Sequence, residues 1–166
     1  MNESYKELLV KKEMGGKEKA LRVLALVPTV LLGLLTLLTG NIILFIIVVA
    51  LGVLDYFVFQ WTDIEYEYLY LDKEVTIDKI MAKQRRKRML TLDVNKMEIL
   101  APVKSYQLDS YKNRDVKAED FSAGRDLPEA KLYHLYYDGN HKYILNLSED
   151  FAKTIKGIAP RKVFLD

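Results

Sequence analysis

The chain has 166 residues, of which 25 are Lys or Arg and 23 are Asp or Glu, so its net charge at pH 7 is +2. It contains no cysteine, which excludes disulfides, thiolate chemistry and metal sites with cysteine ligands. Because the net charge is small, the positions of the charges carry more information than their sum.

Residues 1–19 predict a short amphipathic helix. Ser4 and Glu7 have the spacing of a capping box, in which two side chains cap the first turn of a helix. Apolar side chains then share one helical face, namely Tyr5, Leu8 and Leu9. Three placements of this helix remain open: on the inner leaflet of a membrane, against a soluble domain, or frayed.

The most informative feature is the run of residues 23–54, which has no charged side chain. One membrane crossing needs about 20 apolar residues, so the run is too long for a single span. Residues 39–41 interrupt it, and spans over 21–38 and 42–59 fit a hairpin of residues 20–61. A helical hairpin buried in a soluble protein would normally have polar residues along one face, and these spans have none. The sequence therefore predicts a transmembrane hairpin that serves as an anchor.

Basic residues flank both ends of this hairpin, whereas its turn has no charge. Since cytoplasmic flanks carry the excess of Lys and Arg, both termini are expected in the cytoplasm. Aromatic side chains cluster where the second span ends, as in an interfacial belt. They are Tyr56, Phe57, Phe59 and Trp61.

Asp55 is the carboxylate that ends the uncharged run. In an antiparallel hairpin that turns at Gly40, Arg22 lies level with residue 58, within one helical turn of Asp55. We therefore expect an Arg22–Asp55 ion pair with a structural role, because either charge buried alone would be costly. Pro28 predicts a kink in the first span.

Residues 62–166 read as strands followed by a helix. Residues 64–71 alternate with a period of two, which is typical of a strand, and a strong turn signal at 138–140 predicts a hairpin. Ser148 predicts the N-cap of a final helix. The seven predicted strands cover residues 64–71, 74–81, 88–94, 97–100, 116–122, 131–137 and 142–147.

This order of elements is that of a pleckstrin-homology (PH) fold, in which two antiparallel sheets pack together and a C-terminal helix closes one end. The predicted fold is thus an α+β membrane protein, with an N-terminal helical hairpin and a seven-stranded antiparallel PH-like barrel or sandwich.

Several motifs extend a resemblance over nearly the whole chain. They are Glu65-Tyr66-Glu67-Tyr68-Leu69-Tyr70, Ile77-Asp78-Lys79-Ile80-Met81, Gln84-Arg85-Arg86-Lys87-Arg88, Glu98-Ile99-Leu100-Ala101-Pro102, Leu108-Asp109-Ser110-Tyr111 and Ile158-Ala159-Pro160-Arg161-Lys162-Val163-Phe164. With them the chain resembles an uncharacterised family of small membrane proteins from Gram-positive anaerobes. The resemblance implies a bacterial cell membrane, but it supplies no activity and no catalytic residue.

The densest charge lies at the predicted turn between the second and third of these strands. Its basic residues could contact anionic lipid, at about 1 kcal/mol each, or form a solvated tip that only enforces topology. The turn Asp72-Lys73 departs from the basic pattern of phosphoinositide-binding PH domains, and the cluster is too short to predict nucleic-acid binding. The candidate lipid contacts are Lys83, Arg85, Arg86, Lys87 and Arg88.

No arrangement of residues predicts catalysis, a metal or a cofactor. His134 and His141 lack metal-ligand spacing, and Glu65 and Glu67 are expected to be solvated carboxylates on a strand face. The many tyrosines are expected to pack in and on the sheets, with a peptide groove beside the final helix as the alternative.

These features predict a membrane-anchored, cytoplasm-facing PH-like interaction module that binds a protein, a peptide or anionic lipid head groups. The alternative is an accessory subunit of a membrane complex that uses the hairpin as its interface.

Overall fold

The computed structural model describes residues 5–166, which form two compact units. The helical unit comprises Met14–Ile64 and Met81–Arg85. The sheet unit comprises residues 5–13, Glu65–Ile80 and Arg86–Asp166. The segment before the hairpin is therefore part of the sheet unit.

The helical unit contains α1 (Gly16–Thr39) and α2 (Ile42–Thr62). Gly40 ends α1 in the left-handed region, at φ +64°, where its N–H donates to the Thr36 carbonyl at 2.9 Å. Asn41 then caps α2 by accepting from the Ile43 N–H at 2.9 Å. Both helices are long and apolar enough to cross a membrane, and neither has a buried apolar side chain. The two predicted spans thus correspond to two exposed apolar helices.

The first sheet has the strand order β1-β2-β3-β4. Its strands are β1 (Lys6–Lys11), β2 (Ile64–Leu71), β3 (Glu74–Met81) and β4 (Arg85–Asp93). Pairing of β1 with β2 is antiparallel, from Lys6 opposite Tyr70 to Lys11 opposite Glu65. The helices α1 and α2 therefore lie within the connection of a β-hairpin.

The amphipathic helix predicted near the N-terminus is wrong from residue 6 onward, where the structure has β1. Ser4, the predicted N-cap, lies outside the described residues. Pairing with β2 outweighs the local preference for a capped helix. This pairing buries Val10 to 1 % exposure and places Leu8 opposite Tyr68. Leu8 and Val10 also alternate as a strand requires.

The second sheet has the order β5-β7-β8-β6. Its strands are β5 (Met97–Pro102), β6 (Lys117–Asp120), β7 (Lys131–Tyr137) and β8 (His141–Leu147). All seven predicted strands are present within a few residues, and β1 is an eighth. The sheets are not purely antiparallel, because β6 runs parallel to β8.

The core of the sheet unit joins the final helix α3 (Glu149–Ile158) to β2. Ser148 caps α3 as predicted, accepting from the Phe151 N–H at 3.2 Å. Phe151 is buried and meets the rings of Tyr68 and Tyr70 edge-on, at centroid distances of 6.4 and 6.5 Å. The Tyr68 hydroxyl donates to the Phe121 carbonyl and accepts from the Asn146 N–H, which satisfies it in the core.

The position of β1 yields a prediction about truncated chains. A fragment of residues 62–166 lacks the strand that covers β2, so we expect it to lose cooperative unfolding or to aggregate through the open edge. A chain with residues 5–12 joined by Asn-Gly to residues 64–166 keeps the β1–β2 pairing and should fold. Thermal unfolding by circular dichroism and the dispersion of amide NMR signals would compare the two. Equal unfolding midpoints would show that β1 is dispensable.

Candidate functional site

The turn between β3 and β4 carries the first of the predicted lipid contacts. Ala82 and Lys83 have φ values of +49° and +57°, and the Gln84 N–H closes the turn on the Met81 carbonyl at 3.1 Å. The Ala82 N–H donates to the carbonyl of Asp63, the residue that follows α2, at 2.8 Å. Two consecutive left-handed residues that are not glycine cost about 1–2 kcal/mol each. The turn is therefore held at the C-terminal end of α2 despite local strain.

Two of the predicted lipid contacts are engaged inside the sheet unit. Arg86 Nη2 lies 2.7 Å from Glu67 Oε1, and Arg88 Nε lies 3.4 Å from Asp78 Oδ1. The residues Glu67 and Asp78 are only 3 % and 2 % exposed. A buried carboxylate needs a partner of opposite charge, so both arginines stabilise the sheet. Within residues 5–166, no hydrogen bond or salt bridge occupies the side chains of Lys83, Arg85 and Lys87.

The expectation that Glu65 and Glu67 are solvated is wrong, because both are buried. Burial raises the pKa of the Glu67 carboxyl, and Glu7 and Asp78 raise it further while Arg86 lowers it. Its Oε2 atom is buried without a hydrogen-bond partner among the described residues. Because the pKa of Glu67 is higher in the folded state than in the unfolded state, its protonated carboxyl stabilises the fold at low pH. This stability is lost as the pH rises through the raised pKa. The charged form of Glu67 thus depends on Arg86.

The base of the helical hairpin is joined through Arg22. Its Nε donates to Thr62 Oγ1 at 2.6 Å, its Nη2 to the Phe59 carbonyl at 3.3 Å, and its guanidinium lies 4.7 Å from the Phe59 ring centroid. Asp55 is buried on α2. The structure has no Arg22–Asp55 hydrogen bond or salt bridge in its described part, because Arg22 lies level with residues 59–62. Thr62 is seven residues beyond Asp55, about 10 Å along the helix axis.

The four aromatic residues predicted as an interfacial belt are exposed on the last turns of α2. The rings of Tyr56 and Phe57 meet edge-on, with centroids 5.8 Å apart, and Phe57 approaches Trp61 at 6.4 Å. Exposed rings at the end of an apolar helix are what a membrane interface accommodates.

The edge strand β5 of the second sheet pairs with the C-terminal segment at Leu100. The Leu100 N–H donates to the Lys162 carbonyl at 2.8 Å, and the Phe164 N–H donates to the Leu100 carbonyl at 2.9 Å. Val163 between them is fully buried. The C-terminal segment therefore covers the β5 edge at Leu100. Sequence reasoning missed this pairing, which leaves no periodic signal.

The two histidines lie on β7 and β8. Burial and the nearby Lys142 lower the pKa of His134 to about 4, so it is neutral at physiological pH. A search of residues 5–166 finds no group of three His, Asp or Glu side chains that could hold a metal ion.

A comparison with known families now places the chain. Residues 2–165 match the sequence model of a family described as bacterial PH-like domain (DUF6106). The chain belongs to this family. No curated protein and no solved structure matches it. The predicted membership of a bacterial PH-like family of unknown function is confirmed. The family description gives no activity.

The split of the basic cluster yields a prediction about stability. Replacing Arg86 with Gln leaves the charge of Glu67 buried without its partner, so we expect the free energy of unfolding to fall by roughly 1–2 kcal/mol. The loss is smaller than for a fully buried ion pair because Arg86 is half exposed. Arg85→Gln is the matched control, because the neighbouring side chain has no such partner, and should change stability by less than about 0.5 kcal/mol. Unfolding of the full chain in detergent would measure both. Equal losses would contradict the division into engaged and free residues.

Proposed function

We propose that the chain is a membrane-anchored PH-like module of the bacterial cell membrane, with both termini in the cytoplasm, that contacts anionic lipid head groups. The hairpin is the anchor. The sheet unit supplies the domain that the anchor holds at the inner leaflet.

The observation that carries this proposal is the hydrogen bond from the Ala82 N–H to the Asp63 carbonyl at 2.8 Å. It holds the basic turn at Asp63, two positions after the exposed Trp61 in the chain. If α2 spans the bilayer, an aromatic residue at its end marks the interface, and Lys83 and Arg85 then lie within reach of lipid phosphates. Both side chains are free to turn towards them. Arg86 and Arg88 each contact a carboxylate of the sheet, which makes Lys83 and Arg85 the stronger candidates.

The membrane topology can be tested because the chain has no cysteine. Thr39→Cys labels the turn between α1 and α2, and Asn140→Cys labels the exposed turn between β7 and β8. An impermeant maleimide applied to intact cells should react with the first variant alone, and permeabilised cells should allow reaction of both. Labelling of Asn140→Cys from outside would overturn the cytoplasmic orientation.

The lipid contact can be tested with the full chain in detergent by native mass spectrometry. We expect more bound phosphatidylglycerol than phosphatidylcholine, because only the former is anionic. The double variant Lys83→Gln, Arg85→Gln should reduce phosphatidylglycerol binding about tenfold or more, at about 1 kcal/mol per basic residue. Lys73→Gln, Lys96→Gln is the control of equal charge loss in two other turns. Equal effects of both double variants would indicate a general charge effect rather than a contact.

A second candidate function uses the hairpin as an interface with another membrane protein. Gly33 faces Val48 of the neighbouring helix, whereas a side chain at Gly52 would meet no atom within 4 Å. Gly52 therefore leaves an open position on α2 where a partner helix could approach closely. Crosslinking partners that are recovered by the hairpin alone would favour this candidate.

A further inference from the structure

We propose that Glu67 is a proton-binding site whose protonated carboxyl group donates a hydrogen bond to Glu7 and thereby holds β1 on β2. The site lies on the outer face of the first sheet, opposite to the face on which the neighbouring Tyr68 is buried. It is independent of the proposed lipid contact, because neither Lys83 nor Arg85 takes part.

The register of β1 and β2 brings the two carboxyl groups together. Glu7 lies opposite Leu69, and Glu67 lies opposite Leu9. Since residues two apart on a strand share a face, Glu7 and Glu67 are diagonal neighbours on the same face of the strand pair. Diagonal positions are about 7–8 Å apart, a distance that long side chains bridge. The two carboxyl groups therefore occupy one region of the outer face.

One oxygen of Glu67 has no partner. Glu67 is 3 % exposed, and its Oε1 accepts a hydrogen bond from Arg86 Nη2 at 2.7 Å. Its Oε2 is buried and has no hydrogen-bond partner among residues 5–166. A buried polar atom without a partner is destabilising. A proton on Oε2 turns this atom into a donor, and the carboxylate of Glu7 beside it is an acceptor.

The charges around Glu67 leave one carboxylate without a cation. Arg86 binds Glu67 at 2.7 Å, and Arg88 binds Asp78 at 3.4 Å. Glu7 accepts a hydrogen bond from the Tyr5 hydroxyl at 2.7 Å, and the described chain gives it no salt bridge. The ionisable groups beside this site come from the β1 segment, β2, β3 and β4, and they are Tyr5, Glu7, Lys11, Glu65, Glu67, Asp78, Arg86 and Arg88. One proton shared by Glu7 and Glu67 removes their excess negative charge.

The effect of pH follows from this arrangement. Burial raises the pKa of Glu67, and Glu7 and Asp78 raise it further against the lowering effect of Arg86. Below the raised pKa, the O–H group of Glu67 joins β2 to β1, and above it two carboxylates repel each other. Pairing of β1 with β2 is therefore strongest at low pH and weakens as the pH rises through the raised pKa. The proton thus controls the strand that leads into α1.

Infrared spectroscopy of the full chain in detergent tests for the proton directly, because a protonated carboxyl group has a carbonyl band distinct from that of a carboxylate. We expect the natural chain to keep one such band at a pH where surface carboxyl groups are ionised, and Glu67→Gln to lose it. Glu65→Gln is the matched control and should keep the band, because Glu65 is also buried on β2 but lies opposite Lys11. A band that Glu67→Gln retains in full would overturn the proposal.

Hydrogen exchange measures the strand pairing itself. Because one proton is linked to the pairing, the protection factors of the amides in Lys6–Lys11 should fall by up to about tenfold per pH unit as Glu67 ionises. In Glu67→Gln they should stay at the low-pH level throughout, because the Gln amide donates to Glu7 and accepts from Arg86 without a proton. Protection that is low at every pH in this variant would indicate only a packing role and contradict the proposal.

Glu7→Gln gives a second test at an exposed position, where the substitution leaves the core unchanged. Its amide N–H donates to the Glu67 carboxylate, so the pairing no longer needs a proton. We therefore expect the pH dependence of the β1 protection factors to disappear in this variant as well. A pH dependence equal to that of the natural chain would show that Glu7 does not accept the proton's hydrogen bond, and it would overturn the proposal.

Discussion

The chain leaves β1 at Lys11 and re-enters the sheet at Ile64, and the two strands it joins are hydrogen-bonded side by side. Everything between them is therefore a loop of the sheet unit, and both helices belong to that loop. Closing a flexible loop of about 50 residues costs on the order of 3–4 kcal/mol of entropy. A helical hairpin avoids much of this cost, because it brings its own two ends together through Arg22 and Thr62. The closed helical hairpin therefore lowers the entropy cost of pairing β1 with β2.

The outer face of the first sheet shows why the dense basic sequence has two roles. Two buried carboxylates, Glu67 and Asp78, would destabilise this face if they stood alone. Arg86 and Arg88 reach over them from β4 and remain more than half exposed themselves. Two of the five basic residues in a run that looks uniform in the sequence therefore neutralise carboxylates of the sheet. The remaining charges are free because the turn and the strand alternation direct them elsewhere.

The sequence was sufficient for elements whose signal is local. The two long apolar helices follow from apolarity on all sides, and β2, β7 and β8 follow from their alternation or from the turn signal between them. It failed where the deciding partner is remote. Six residues from Lys6 to Lys11 have both a helical and an alternating pattern, and only β2, more than fifty positions away, selects the strand. The burial of Glu67 depends in the same way on Arg86, and the closed edge at Leu100 depends on Lys162 and Phe164. No window of sequence contains both members of these pairs.

The choice between arginine and lysine follows the same division. A planar guanidinium stays charged when it is partly buried against a carboxylate, which suits Arg86 and Arg88. An ammonium group loses its charge more readily in a poorly solvated place, and the lowered pKa of Lys79 shows that this place is unfavourable for the charge.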